Sequence, residues 1–155
     1  MIIGWGSDHA GVELKNKLIE YMAEKGYENI DYGNYDLNDR DDDYPVYGRK
    51  VAEAIHTGEA DMGVLICGTG IGISITANKV PGIRAAHCSE PYSARMAKQH
   101  NNANIIAFGA RVVGLDLAKM ILDEFFGNEY LGGRHQRRVD AIMETEKYYR
   151  EHPEL

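Results

Sequence analysis

Residues 62–67 read MGVLIC, six positions in a row without a charged side chain, and Cys67 leads at once into GTGIG. A run this short is below the usual length of a core helix. Apolar on both faces of the pleat, it fits a strand buried from two sides, as in parallel sheets covered by helices. That one strand constrains the fold more than any other stretch, because a doubly buried strand needs crossover helices on both of its faces.

The rest of the chain supplies them. IIGWG (2–6) reads as a first buried strand, followed by Leu14, Leu18, Tyr21 and Met22 at helical spacing, with Gly26 as a C-cap candidate. YENIDYG is a weaker strand, and NYDLNDRDDDYP an acid-rich loop whose run 36–43 is expected to be solvated. Gly48, Val51, Ala52 and Ile55 mark a second helix that stops at Gly58. IRAAH (83–87) reads as a strand, with Ser89 as N-cap candidate and Pro91 in the first helical turn. NIIAFG (104–109) is the fifth strand, and Ala118, Ile121, Leu122 and Phe125 form the helix after it. A charged segment over about 134–150 predicts a final helix packed on the body or on a partner. Strands alternating with helices imply a three-layer αβα domain over 1–155, with five mainly parallel strands expected in the order 2-1-3-4-5.

Open α/β sheets bind ligands beyond the C-terminal ends of their strands, where the strand order reverses. In the expected order that point lies between the first and third strands, where Ser7-Asp8-His9 and Cys67-Gly68-Thr69 fall; Gly109-Ala110-Arg111 adds a cation on the same edge.

Composition narrows the chemistry. With 24 acidic residues against 17 Lys plus Arg, a net charge of −7 argues against nonspecific nucleic-acid binding, which needs basic surface to release counterions. Two cysteines, Cys67 and Cys88, without CxxC or metal-type spacing, read as reduced thiols. MIIGW is too short for a signal-peptide core and no run reaches transmembrane length, so a soluble, cytoplasmic protein is expected.

Cys67-Gly-Thr-Gly-Ile-Gly admits several readings. A dinucleotide fingerprint requires GxGxxG, usually on the first βα turn; here the spacing is GxGxG on the third strand. A phosphatase nucleophile needs an arginine six positions after the cysteine, and position 73 is Ile. Cys88 reads best as a small buried hydrophobe. Cys67 ends a strand at a glycine turn that starts a helix, where backbone N–H groups and the helix dipole favour an anion, thiolate or oxyanion. Asp8 alone would suit an N-cap, but His9 beside it adds chemistry. His100 and Asn101 close a helix, a position that suits histidine on dipole grounds alone. Arg134 and Arg138, spaced i, i+4 after Gly132-Gly133, make a phosphate clamp if they share a helix face.

SDHAG, DYP at 43–45, CGTGIGISITANKVPGIRAA, CSEPYSARMAKQHNNANIIAFGAR, VVGLDLAKMI and GGRHQRR together closely resemble the type B ribose-5-phosphate isomerases, which belong with the galactose-6-phosphate isomerase subunits. The resemblance runs in order over about residues 1–147. It implies a Rossmann-like fold, a homodimer or a tetramer, and interconversion of ribose 5-phosphate and ribulose 5-phosphate without metal or other cofactor. Carried onto this chain, it implies that Cys67 is the base that shuttles a proton between C2 and C1, supported by Thr69. The amides of Gly68, Thr69, Gly70, Ile71 and Gly72 would meet the enediolate, and Asp8 with His100 would open the sugar ring. His9, Arg134 and Arg138, joined by Arg111, would hold the phosphate, with His100, Asn101 and Arg111 arriving from a partner subunit. One branch of the family uses a Glu at the position of Ile73 and lacks the cysteine; Ile73 with Cys67 puts this chain in the cysteine branch. A 6-phosphorylated hexose (allose or galactose 6-phosphate) is the alternative substrate class, and a noncatalytic nucleotide-binding module the alternative of another class. The His100-Asn101 pair and Arg134/Arg138 favour ribose, since the galactose-type subunits tend to lose them.

Overall fold

The computed structural model describes residues 1–154; Leu155, the last residue of the expected domain, lies outside them. The chain alternates β1 (Ile2–Ser7), α1 (Val12–Glu24), β2 (Glu28–Asp31), α2 (Tyr44–Thr57), β3 (Met62–Cys67), α3 (Ile71–Ala77), β4 (Ala85–His87), α4 (Pro91–Asn101), β5 (Ile105–Gly109), α5 (Leu115–Phe126) and α6 (Gln136–Glu151). Short 3-10 turns at His9–Gly11 and Gly133–His135 precede α1 and α6. Every strand pair is parallel, from Ile3 opposite Met62 to Cys67 opposite Gly109.

The sheet order is β2-β1-β3-β5-β4, which corrects the expected 2-1-3-4-5. The reason is burial. Ile105, Ile106, Ala107 and Phe108 are all without exposed surface, so β5 takes an interior place beside β3. Ala85, Ala86 and His87 are only partly covered, and β4, shorter than the expected 83–87, closes the edge. Because β2 and β3 still flank β1, the reversal of strand order stays between β1 and β3, and the ends of those strands still frame the site.

Two cores hold the layers. On one face α1, α4 and α5 bring Leu18, Met22, Ala94, Ala97, Ile121 and Phe125 against Ile3, Trp5, Val64 and Phe108. On the other, α2 and α3 bring Val51, Ala52, Ile73 and Ala77 against Leu65 and Cys67. At roughly 25 cal/mol per Å², such burial is the main force holding helices to sheet. α2 stops at Gly58 in the left-handed region, as expected, and Pro91 opens α4. Its cap is Glu90 rather than Ser89, with the Glu90 carboxylate accepting the Ser93 N–H at 2.8 Å. α6 lies outside both cores, with Val139 its buried residue, and it reaches the body through Glu146, which accepts the Gly82 N–H at 3.0 Å. Among the described residues no helix is long and apolar enough to cross a membrane.

Candidate active site

Cys67 is the last residue of β3, buried, and followed by a turn that folds back over the C-terminal end of β5. Ala110 N–H donates to the Cys67 carbonyl at 2.9 Å and Arg111 N–H to the Gly68 carbonyl at 3.1 Å, so the loops after β3 and β5 are tied together. Gly70 donates its N–H to the Cys67 sulfur at 3.1 Å, and Ile71 to Thr69 Oγ1 at 3.3 Å. Two of the amides expected to meet an enediolate thus have local partners in this state, one of them the thiol itself.

Asp8, Tyr44, Cys67, Thr69 and Arg111 line a cleft of about 500 Å³ at this edge. Tyr44 lies so close to the turn that a Cβ on Gly72 would stand 2.5 Å from its ring, and Arg111 Nη1 would be 3.2 Å from a Cβ on Gly68. Asp8 caps the 3-10 turn by accepting the Ala10 N–H at 3.0 Å. Burial first, and then the charge of Asp42, push the Asp8 carboxyl above the ordinary carboxylate range; His9 and the Ala10 and Gly11 amides pull the other way without winning. A carboxyl raised in this manner suits proton exchange with a sugar hydroxyl. His87, at the end of β4, has Nε2 at 2.9 Å from the Thr69 carbonyl and steadies the turn from outside. Cys88 lies in the opposite core, its thiol pushed up to about 11 by burial and then by Glu90, in line with a packing role.

A second cluster lies at the other end of the sheet. His100 and Asn101 finish α4 just before β5 begins, whereas Cys67 pairs with Gly109 where β5 ends. The length of β5, roughly 13 Å at about 3.3 Å per residue, therefore separates them. His100 stacks on His135 with ring centroids 4.1 Å apart, and Leu131 N–H donates to the Gln99 carbonyl at 3.0 Å, which pins the GGRHQRR segment beside α4. Burial first, then the neighbouring His100, Arg134 and Arg138, push the His135 imidazole below its ordinary value. Arg134 sits in the 3-10 turn and Arg138 in the first turn of α6, both exposed, so they do not share one helix as their spacing suggested. Arg84 braces the end of α4 from below, donating to the carbonyls of Asn101 at 3.1 Å and Asn102 at 2.8 Å. A groove of about 650 Å³ opens alongside, between α6 and the β4 edge, lined by Arg84, Asn101, Ile142 and Tyr149 among others.

The sequence profile described as Ribose/Galactose Isomerase matches residues 3–142. The chain belongs to the ribose/galactose isomerase family. It is 54% identical over 145 residues to ribose-5-phosphate isomerase B of Escherichia coli, covering 94% of this chain and 96% of that protein. The solved ribose-5-phosphate isomerase B of Clostridium thermocellum superposes with a TM-score of 0.93 at 55% identity, over 96% of this chain and 99% of that one. That of Mycoplasma genitalium, solved with bound ribulose 5-phosphate, has a TM-score of 0.89 at 39% identity, covering 94% and 96%.

Within this member of the ribose/galactose isomerase family, the expected site residues divide into two groups. Asp8, Cys67, Gly68, Thr69, Ile71, Gly72 and Arg111 share the cleft. Arg111, expected from a partner, is in place in its own chain because β5 ends beside β3 and delivers the following loop onto Gly68. His100, Asn101, Arg134 and Arg138 do not reach that cleft, because α4 runs back along the sheet and ends at its opposite edge. His9 stands next to Asp8 but bonds inward to Asp42, so the acid-rich loop is not simply solvated. Tyr44 and Asp42 were missed as site residues; Tyr44 falls within DYP (43–45), but Asp42 lies just before it, and nothing in the sequence marks which aspartate of 36–43 turns inward.

Proposed function

We propose that this chain is a ribose-5-phosphate isomerase that interconverts D-ribose 5-phosphate and D-ribulose 5-phosphate through a cis-enediolate. The observation that carries the reading is the Cys67 thiol at the C-terminal end of β3, sharing a cleft with the raised carboxyl of Asp8 under an amide-rich turn. In the open-chain aldose, Cys67 removes the proton from C2 and returns it to C1, one base on one face serving both transfers. Thr69 supports that transfer, and amides from Gly68 to Gly72 stabilise the enediolate oxygen once the Gly70 N–H turns from the sulfur to the ligand. Before this step the furanose opens, with Asp8 and His100 exchanging protons with the ring oxygen and the C1 hydroxyl. His9 and Arg111 bind the phosphate, together with Arg134 and Arg138, and supply positioning energy far from C1 and C2.

Since His100 and Cys67 stand at opposite ends of one sheet, the functional unit is a homodimer in which a second copy brings His100, Asn101, Arg134 and Arg138 to this cleft. The exposed Ile142 and Tyr149 beside the Asn101 groove suit burial against that copy. A phosphorylated sugar is too strongly charged to cross a lipid bilayer unaided, so the protein that turns it over works in the cytoplasm. The test is turnover of ribose 5-phosphate in the presence of a chelator and without nucleotide, beside allose 6-phosphate and galactose 6-phosphate. Preferred turnover of the pentose is expected; no turnover of any of the three would overturn the reading.

A further inference from the structure

Asp36, Asp39, Asp41, Asp42 and Asp43 crowd the loop before α2, and the Asp42 side chain is wholly enclosed against His9. Asp42 Oδ2 accepts the His9 backbone N–H at 2.6 Å, and Oδ1 lies 2.5 Å from His9 Nδ1. Asn34, 7% exposed, donates from Nδ2 to the same Oδ2 at 3.0 Å and to Asp39 at 3.1 Å. Asn34 is fixed in turn by Lys15, whose buried ammonium donates to the Asn34 carbonyl and to Asp31, each at 2.6 Å. Burial pushes the Asp42 carboxyl up, but the hydrogen bonds from Asn34 and His9 outweigh it and hold it below its ordinary value. A carboxylate only accepts, so the short contact to Nδ1 requires a proton on that nitrogen.

We infer that Asp42 is the positioning residue of His9: it fixes the ring with Nδ1–H turned inward and leaves Nε2 as the nitrogen that meets the substrate phosphate. The phosphate part of this assignment rests on the function proposed above. A histidine's second hydrogen bond decides which nitrogen carries the proton, and a buried carboxylate is the usual device. A phosphate dianion there would be met by Nε2–H of the imidazolium, with Asp42 as counter-charge and Asp8 as the other carboxylate nearby. The anchor is rigid because it is built inward: Lys15 holds Asn34, Asn34 holds Asp42, and Asp42 holds both the backbone and the ring of His9. A solvated aspartate at the same distance would leave the ring free to flip.

The experiment reads the His9 ring directly. Long-range proton–nitrogen NMR of uniformly labelled protein at mildly alkaline pH, with His9 assigned by comparison with His9→Gln, should show a single Nδ1–H form in the wild type. An Nε2–H ring there would overturn the inference without any variant of Asp42. Asp42→Ala should release the ring to a mixture of tautomers. It should also raise KM for ribose 5-phosphate about tenfold while changing kcat by less than about threefold, the pattern of lost uniform binding. In a His9→Gln background the same Asp42→Ala change should add nothing further. An equal KM increase in both backgrounds would mean that Asp42 does not act through His9. An unchanged KM in His9→Gln alone would contradict the phosphate-holding role of His9, a failure separate from the tautomer result.

Discussion

Gly70 and Phe108 meet backbone to backbone: a Cβ on Gly70 would stand 2.5 Å from the Phe108 carbonyl carbon, and Gly70 holds φ at +79°. Close approach and a left-handed backbone thus demand glycine for two separate reasons, and together they press the Cys67 turn onto β5. Gly70→Ala should cost about 2–4 kcal/mol, combining the left-handed penalty with overpacking against an immovable strand. Urea denaturation measures this, and an unchanged midpoint would show that the turn relaxes away from β5 freely.

Cys67→Ala should remove isomerase activity while leaving the fold in place. The sulfur's one hydrogen bond is the Gly70 N–H, and alanine keeps the backbone of β3 and most of the packing against Leu65 and Ile73. Loss of a proton-transfer group costs on the order of 10²–10⁴ in kcat or more. Turnover measured beside a thermal melt separates the two effects; a variant with native melting and near-native turnover would rule Cys67 out as the base.

How far the sequence shows these features depends on what makes each one. MGVLIC announced β3 to the residue, because a strand buried on both faces leaves an unbroken apolar run. The order of β4 and β5 was misjudged because right-handed crossovers permit both arrangements; only the polar His87 and the two small alanines of β4, against IIAF in β5, hinted which belongs at the edge. The cleft at β1 and β3 was legible because it follows from where the strand order reverses. Asp42 was not, since five like charges in one loop give no pattern to separate a buried carboxylate from solvated ones. The remoteness of His100 from Cys67 was equally hidden, because it depends on the direction of α4 across the sheet rather than on any residue type.

Asp8→Asn should stabilise the protein near neutral pH. The Asp8 carboxyl is raised from an ordinary 3.8 by burial and by Asp42, so the folded state binds its proton more tightly than the unfolded chain does. Between the ordinary value and the raised one, stability therefore falls as pH rises. Asparagine retains the cap on the Ala10 N–H and carries no charge to desolvate. The expected gain is about 0.5–1 kcal/mol at neutral pH, discounted for partial solvent screening, and it should vanish below the ordinary carboxylate range. Melting curves of both proteins at acid and neutral pH check it, and a gain independent of pH would remove the Asp8 charge from the explanation. Activity on the cyclic sugar should fall in the same variant, because the neutral amide cannot exchange a proton.

The distance between the two clusters predicts complementation. A Cys67→Ala chain retains His100, Asn101 and both arginines of the GGRHQRR segment, while a His100→Asn chain retains the Cys67 cleft. In a dimer that shares sites, a mixed pair assembles one intact site from the two chains and one doubly damaged site. Random reassortment after co-refolding makes half the dimers mixed, so about one quarter of all sites should recover. Turnover of ribose 5-phosphate by the co-refolded mixture, compared with each variant refolded alone, measures this. Recovery near that fraction would place Cys67 and His100 of different chains in one site. A mixture no more active than its parts, with mixed dimers verified by differential tagging, would mean that each chain works alone and that His100 has no part in the reaction at Cys67.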